Sequence, residues 1–129
     1  MSSRETIDDL LEEARSRIDR LSPEQAAREL QAGGILVDTR CADDRRREGT
    51  IAGAVHIPRT LLEWRADPAS SHSDPRIANL AARLIIMCND GYSSSLAAAN
   101  LQRMGFERVA DLAGGYRGWK AAGLPSESA

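Results

Sequence analysis

The sequence predicts an α/β domain with a central, mostly parallel sheet of four to five strands flanked by helices. Three observations carry this. The runs 35–37 and 84–87 are apolar throughout, as expected of parallel strands covered on both faces. Such runs alternate with segments of helical periodicity, the order that crossover connections require. Polar clusters fall just past the strands, at Asp38, Thr39 and Arg40, at Pro58 and Arg59, and from Cys88 onward. Parallel sheets place their sites at these carboxyl ends. The length, 129 residues, suits one domain built on such a sheet.

Along the chain, Ile7, Leu10, Leu11, Ala14, Ile18 and Leu21 recur at helical spacing, with Thr6 as cap and Asp8 and Asp9 in the first turn. Residues 1–19 are therefore expected as an N-terminal amphipathic helix. Its apolar stripe needs a partner, either the domain itself or a second copy in a homodimer. The domain is expected over 20–125 and a flexible tail over 126–129. Ser22, Pro23 and Gln25 make a strong helix start, with a cap, a first-turn proline and a capping box. That helix should stop at Gly33-Gly34.

After the strand at 35–37, residues 43–48 are a charge run suited to a solvated loop or helix turn. Residues 54–57 read as a second short strand closed by Pro58, and 60–64 as a helix. Two prolines and several serines make 66–75 a loop. Residues 77–82 are expected to be helical and lead into the strand at 84–87. Leu96, Ala99, Asn100 and Arg103 mark a helix ending at Gly105. Val109 and Ala110 form a last short strand, 112–115 a turn and 116–122 a closing helix. Trp64 and Trp119 read as core or helix-packing residues.

Composition excludes several functions. The net charge of −2 leaves no basic surplus for holding nucleic acid. No apolar run approaches the ~20 residues of a membrane span. The polar, acidic N-terminus is not a signal peptide, so a cytoplasmic protein is expected. Two cysteines, Cys41 and Cys88, and two histidines, His56 and His72, are too scattered for a metal site. No cofactor or metal is expected, and both cysteines should stay reduced.

Cys88 stands directly after the most apolar strand and before a helix. Gly91 lets the intervening loop turn sharply. A loop that wraps back aims several backbone N–H groups inward, and the helix starting near Ser93 or Ser94 adds its positive end. Both favour thiolate, the nucleophilic form. Placement alone fits a buried structural cysteine equally well. The polar run Asn89, Asp90, Gly91, Tyr92, Ser93 favours a reactive one.

Cys-x-x-Gly-x-Ser-Ser after an apolar strand resembles the active loop of the single-domain rhodanese-like sulfurtransferase family. Three further pieces agree in order: 35–40, an apolar strand ending in Asp-x-Arg; 49–58, Gly-Thr-Ile-Ala-Gly-Ala-Val-His-Ile-Pro; and 112–119, Leu-Ala-Gly-Gly-Tyr-Arg-Gly-Trp. The resemblance implies a rhodanese-like sandwich. It implies a Cys88 nucleophile that takes a sulfane sulfur from a small donor as a persulfide and passes it to a thiol or cyanide. The backbone amides of 89–93 would hold that persulfide, and Ser93 would bond the sulfur or cap the helix. Asp38 and Arg40 would organise neighbouring loops by ion pairing.

The sequence departs from the family pattern in two places. Thr50 stands where the family usually has histidine. The loop also lacks the Arg or Lys that some members set beside the cysteine, and it carries Asp90, which is expected to face solvent. Arg59 or Arg65 is expected to supply the missing positive charge to the pocket. Cys41 is read as an incidental thiol in preference to a resolving partner for Cys88. His56 is expected to be half-buried and structural. Two other function classes compete: a cysteine phosphatase or arsenate reductase, which needs an arginine where Ser93 and Ser94 stand, and a non-catalytic persulfide carrier, sensor or partner-binding module.

Overall fold

The structure, a computed structural model, describes residues 3–129. Local sequence chemistry fixes the first two helices. Thr6 and Asp9 close a capping box on α1 (Ile7–Ser16), and Ser22 and Gln25 close another on α2 (Pro23–Gln31). The expected N-terminal helix is shorter than its apolar stripe. It ends at Ser16, and Asp19–Leu21 form an edge strand, β1. Serine, β-branched isoleucine and aspartate at 16, 18 and 19 hold a helix poorly. Pairing with a distant strand then supplies the backbone partners a longer helix would have given.

The remaining elements are β2 (Ile35–Asp38), α3 (Ala42–Glu48), β3 (Val55–His56), a 3-10 turn at Arg59–Leu61 running into α4 (Leu62–Ala66), β4 (Leu84–Met87), α5 (Ser93–Arg103), β5 (Ala110–Leu112) and α6 (Gly115–Ala121). The five strands lie in the order β1-β5-β4-β2-β3, and every pairing is parallel. All their carboxyl ends therefore open on one edge of the sheet.

The middle strand β4 is buried on both faces. Leu84 and Ile86 meet Leu62, Ile77, Leu101 and Phe106 on one side. Ile85 and Met87 meet Leu36, Leu112, Tyr116 and Trp119 on the other. This alternation produces two core layers from one uninterrupted apolar run. Helix α1 packs on α5 of the same chain and buries Ala14.

Two further expectations need correction. Residues 77–82 form turns, because the Asp74 and Asn79 side chains accept from the Arg76 and Ala81 amides at 2.9 and 3.0 Å and so compete with helical bonding. Trp64 is 57% exposed, so it is not a core residue. The terminal segment is fastened at Glu127, whose backbone exchanges two hydrogen bonds with Thr50, at 2.7 and 2.8 Å. Among the described residues, no helix is long and apolar enough to cross a membrane.

Candidate active site

Cys88 follows the last residue of β4 at the open edge of the sheet. The chain bends through Asn89, Asp90, Gly91 and Tyr92 and enters α5 at Ser93. The Gly91 backbone has φ +87°, and a Cβ there would stand 2.8 Å from the Gly114 nitrogen. Glycine is the residue for that turn. Gly115 is as constrained: a Cβ would meet the Asn89 carbonyl oxygen at 2.5 Å.

The close approach at Gly115 decides how the loop faces. The Tyr116 and Arg117 amides, at the start of α6, donate to the Cys88 and Asn89 carbonyls at 2.8 and 3.1 Å. Arg15 and Arg20 donate to the Gly91 carbonyl at 2.9 and 2.8 Å. With its carbonyls held from outside, the loop turns amides toward the sulfur. Gly91 N–H reaches Cys88 Sγ at 3.1 Å and Ser94 N–H at 3.4 Å.

Cys88 is only 8% exposed. Burial pushes its thiol up, but the Ser94 and Ser93 hydroxyls and the Ser94 and Gly91 amides more than offset this, and the thiol lies below its ordinary value. The Ser94 hydroxyl proton has two claimants. In the structure it goes to buried Asp111 at 2.9 Å. Ser95 also donates to Asp111, at 2.8 Å, so Ser94 can turn to a thiolate without stripping that carboxylate. The two amides need no such rotation and are the firmer part of the support.

Cys88 opens on a cavity of about 260 Å³. Its walls are Asn89, Asp90, Tyr92 and Ser93 from the loop and Thr39 and Arg40 from the end of β2. Tyr92 stands at the mouth, 60% exposed. Asp90 is half exposed and paired with Arg117 at 2.8 Å. Asn89 donates to Asp44 at 2.9 Å. Arg40 lines the cavity: its Nε and Nη2 donate to Asp38 at 3.1 and 2.9 Å, its guanidinium lies 4.1 Å over the Tyr116 ring, and its buried Nη1 has no partner among the described residues. Asp38 is fully buried below it and also takes Arg45 at 3.2 Å.

Arg59 and Arg65 are not brought to this cavity. Arg59 reaches back to Glu63, one helical turn on, at 2.8 and 3.0 Å. Arg65 donates to the His72 carbonyl at 3.0 Å. The charge expected from either residue is absorbed locally. His56 Nε2 lies 2.7 Å from the Arg40 carbonyl oxygen, and Cys41 caps α3 through its sulfur.

Sequence reasoning missed the layer beneath the loop: Arg15, Arg20, Ser95 and Asp111. One signal was present, a carboxylate at 111 inside an otherwise apolar strand. The arginines carry no local signal, since they lie more than seventy positions from the carbonyl they hold.

The Rhodanese-like domain model matches residues 22–122. The chain belongs to this family. The thiosulfate sulfurtransferase GlpE of Ectopseudomonas mendocina is 37% identical over 114 residues, which is 88% of this chain and 94% of the relative. A protein of unknown function from Rhodopseudomonas palustris, described as a possible tyrosine phosphatase, superposes with a TM-score of 0.88 at 31% identity and covers 98% of each chain. The polysulfide-sulfur transferase of Wolinella succinogenes shares the fold, with a TM-score of 0.72, 24% identity, and coverage of 92% of this chain and 85% of its own. Membership of the family together with the GlpE relatives makes the chain a rhodanese-type sulfurtransferase. The fold expected from the sequence, a rhodanese-like parallel α/β sandwich, is the one found.

Proposed function

We propose that Cys88 carries sulfur as a persulfide between a small anionic donor such as thiosulfate and a thiol or cyanide acceptor. The Cys88 thiolate attacks the outer sulfur of the donor. The donor's sulfur–sulfur bond breaks, sulfite leaves with the bonding pair, and Cys88 holds a persulfide anion. The acceptor then attacks the terminal sulfur, and its departure regenerates the thiolate. No external oxidant or reductant is needed, and the two steps form a double displacement.

The observation that carries this reading is the pair of amides, from Gly91 and Ser94, on the sulfur of a nearly buried cysteine. Amide dipoles fixed in place serve the thiolate and the persulfide anion alike. The GlpE relatives at 32–37% identity support thiosulfate as the donor. With Arg59 turned to Glu63 and Arg40 bound to Asp38, donor binding falls to backbone N–H groups. Arg59→Ala and Arg65→Ala should each leave the thiosulfate KM unchanged. A cytoplasmic setting fits two unpaired thiols, one of them exposed.

A phosphatase reading has the Rhodopseudomonas palustris structure in its favour. Against it, residues 88–94 contain no arginine to clamp an oxyanion bidentately. The test is an intact mass after incubation with thiosulfate. A gain of one sulfur on wild type and none on Cys88→Ser is expected, followed by release to cyanide or a thiol. Sulfur loading without release would make the chain a carrier. No loading, with phosphate ester hydrolysis instead, would overturn the proposal.

A further inference from the structure

The sulfur loop is held from below by two arginines that lie outside the matched residues 22–122. Arg15 comes from α1 and Arg20 from β1, and both end on the Gly91 carbonyl oxygen. Each guanidinium is fixed a second time. Arg20 bonds the buried Asp111 carboxylate at 2.9 and 3.3 Å. Arg15 Nε donates to Ser95 Oγ at 3.0 Å, and Ser95 donates to Asp111. The result is a closed ring: Gly91 carbonyl, Arg15, Ser95, Asp111, Arg20 and back to Gly91.

This ring sits at the weakest point of the loop. Gly91 has φ +87°, where no side chain restrains the backbone. Its own N–H is the closest donor to Cys88 Sγ, and the next donor, Ser94 N–H, lies on the far side of the same carbonyl. Rotation about Gly91 would open the loop between its two donors. A carbonyl oxygen turned toward the sulfur would also set negative charge against a thiolate. Two charge-assisted bonds prevent both. Because a trans peptide sets C=O and the next N–H antiparallel, they also point the Tyr92 amide away from the arginines.

We propose that Arg15 and Arg20 are positioning residues for sulfur transfer at Cys88, clamping the Gly91 carbonyl so that the loop amides stay closed around the reacting sulfur. The N-terminal helix is then a working part of the site. This rests on the reading of Cys88 as a thiolate nucleophile.

The test follows alkylation of Cys88 by iodoacetamide across pH, read as intact mass on the full chain in a Cys41→Ser background. Arg15→Met keeps the aliphatic stem and a good helix former. It is expected to move the midpoint of the alkylation profile up by about one unit, and to slow alkylation at neutral pH by about three- to tenfold. Thiosulfate turnover should fall in kcat more than it changes in KM. Arg15→Lys, which still offers an ammonium to the carbonyl, should recover part of both. Arg20→Lys should behave like Arg15→Lys, with a retained thermal transition. An Arg15→Met protein that is folded by circular dichroism and alkylates with the wild-type profile would overturn the proposal, as would equal loss in Met and Lys variants. A wild-type profile like that of an ordinary thiol, or no sulfur loading, would instead sink the thiolate reading itself.

Discussion

At the scale of single residues, the site depends on which way backbone groups point. The Cys88 carbonyl and its neighbours are taken up by α6 and by the arginines, so amides are left for the sulfur. Two predictions belong here. The first concerns pH. The reactive form is the thiolate, and the Cys88 thiol is held below its ordinary value of about 8.5. Activity should therefore extend below the pH range of an ordinary thiol and fall as pH drops through that lowered value. A stopped-flow alkylation profile that rises only above pH ~8, as for an unassisted thiol, would contradict it. The second concerns Gly91→Ala. Its Cβ would press on the Gly114 nitrogen at 2.8 Å and force a positive φ on alanine. The expected cost is about 1–3 kcal/mol, with most sulfur transfer lost, measured by denaturant unfolding and thiosulfate turnover. The Cys88 loop was legible in the sequence because its signal is local: an apolar strand, then glycine and polar residues. Arg15 and Arg20 were not, because helix packing and parallel pairing bring them in from the far end of the chain, and the one signal for Asp111, a carboxylate in an apolar strand, does not say what it holds. Arg59 was misplaced for the converse reason: a glutamate one turn away captured it.

At the scale of elements, pattern and pairing divide the work. The apolar run of β4, the Thr6 cap of α1 and the capping box of α2 were readable because each is set within a few residues. The end of α1 was not, since apolar residues at 18 and 21 serve a strand as well as a helix. What decides is the register of β1 on β5, with Arg20 opposite Asp111. Ile86, buried in β4 between β2 and β5, tests the two-layer core. Ile86→Ala should cost about 2–5 kcal/mol, measured by urea denaturation. At the other edge of the sheet, Arg83 joins Glu29 of α2 at 2.7 Å to Asp19 of β1 at 2.8 Å. The Arg83 guanidinium holds the Glu29 carboxyl below the usual carboxylate range. Its contribution is therefore present above the unfolded value and lost as pH falls through the lowered one. Asp19 is largely solvated and Glu29 keeps about a third of its side chain in water, so Arg83→Ala should cost only about 0.2–1 kcal/mol at neutral pH, and less in high salt.

At the scale of the whole molecule, the chain closes on itself beside the site. Thr50, which stands where histidine was expected from the family pattern, is buried and pairs through its backbone with Glu127. Gly49 makes room for this: a Cβ there would meet Tyr116 Oη at 2.5 Å and the Glu127 carbonyl at 2.9 Å. Tyr116 donates to the Glu48 carbonyl at 2.9 Å, and Trp119 donates to the Pro125 carbonyl at 2.8 Å. The last residues therefore act as a latch that joins the segment just after α3 to α6. Removing residues 126–129 strips the buried Thr50 amide of its acceptor and leaves water to replace it. The expected loss is about 1–3 kcal/mol, a fall in Tm of roughly 3–15 °C for a domain of this size. The donors to Cys88 come from its own loop and from the first turn of α5, and α6 holds that loop through the Tyr116 and Arg117 amides, bonds that removal of 126–129 leaves in place. The truncated chain should therefore unfold earlier and still alkylate Cys88 with the full-length pH profile. A profile displaced to higher pH at a temperature where the truncated chain is fully folded would show that the latch reaches the sulfur, through Tyr116 and the Arg40 guanidinium stacked on it.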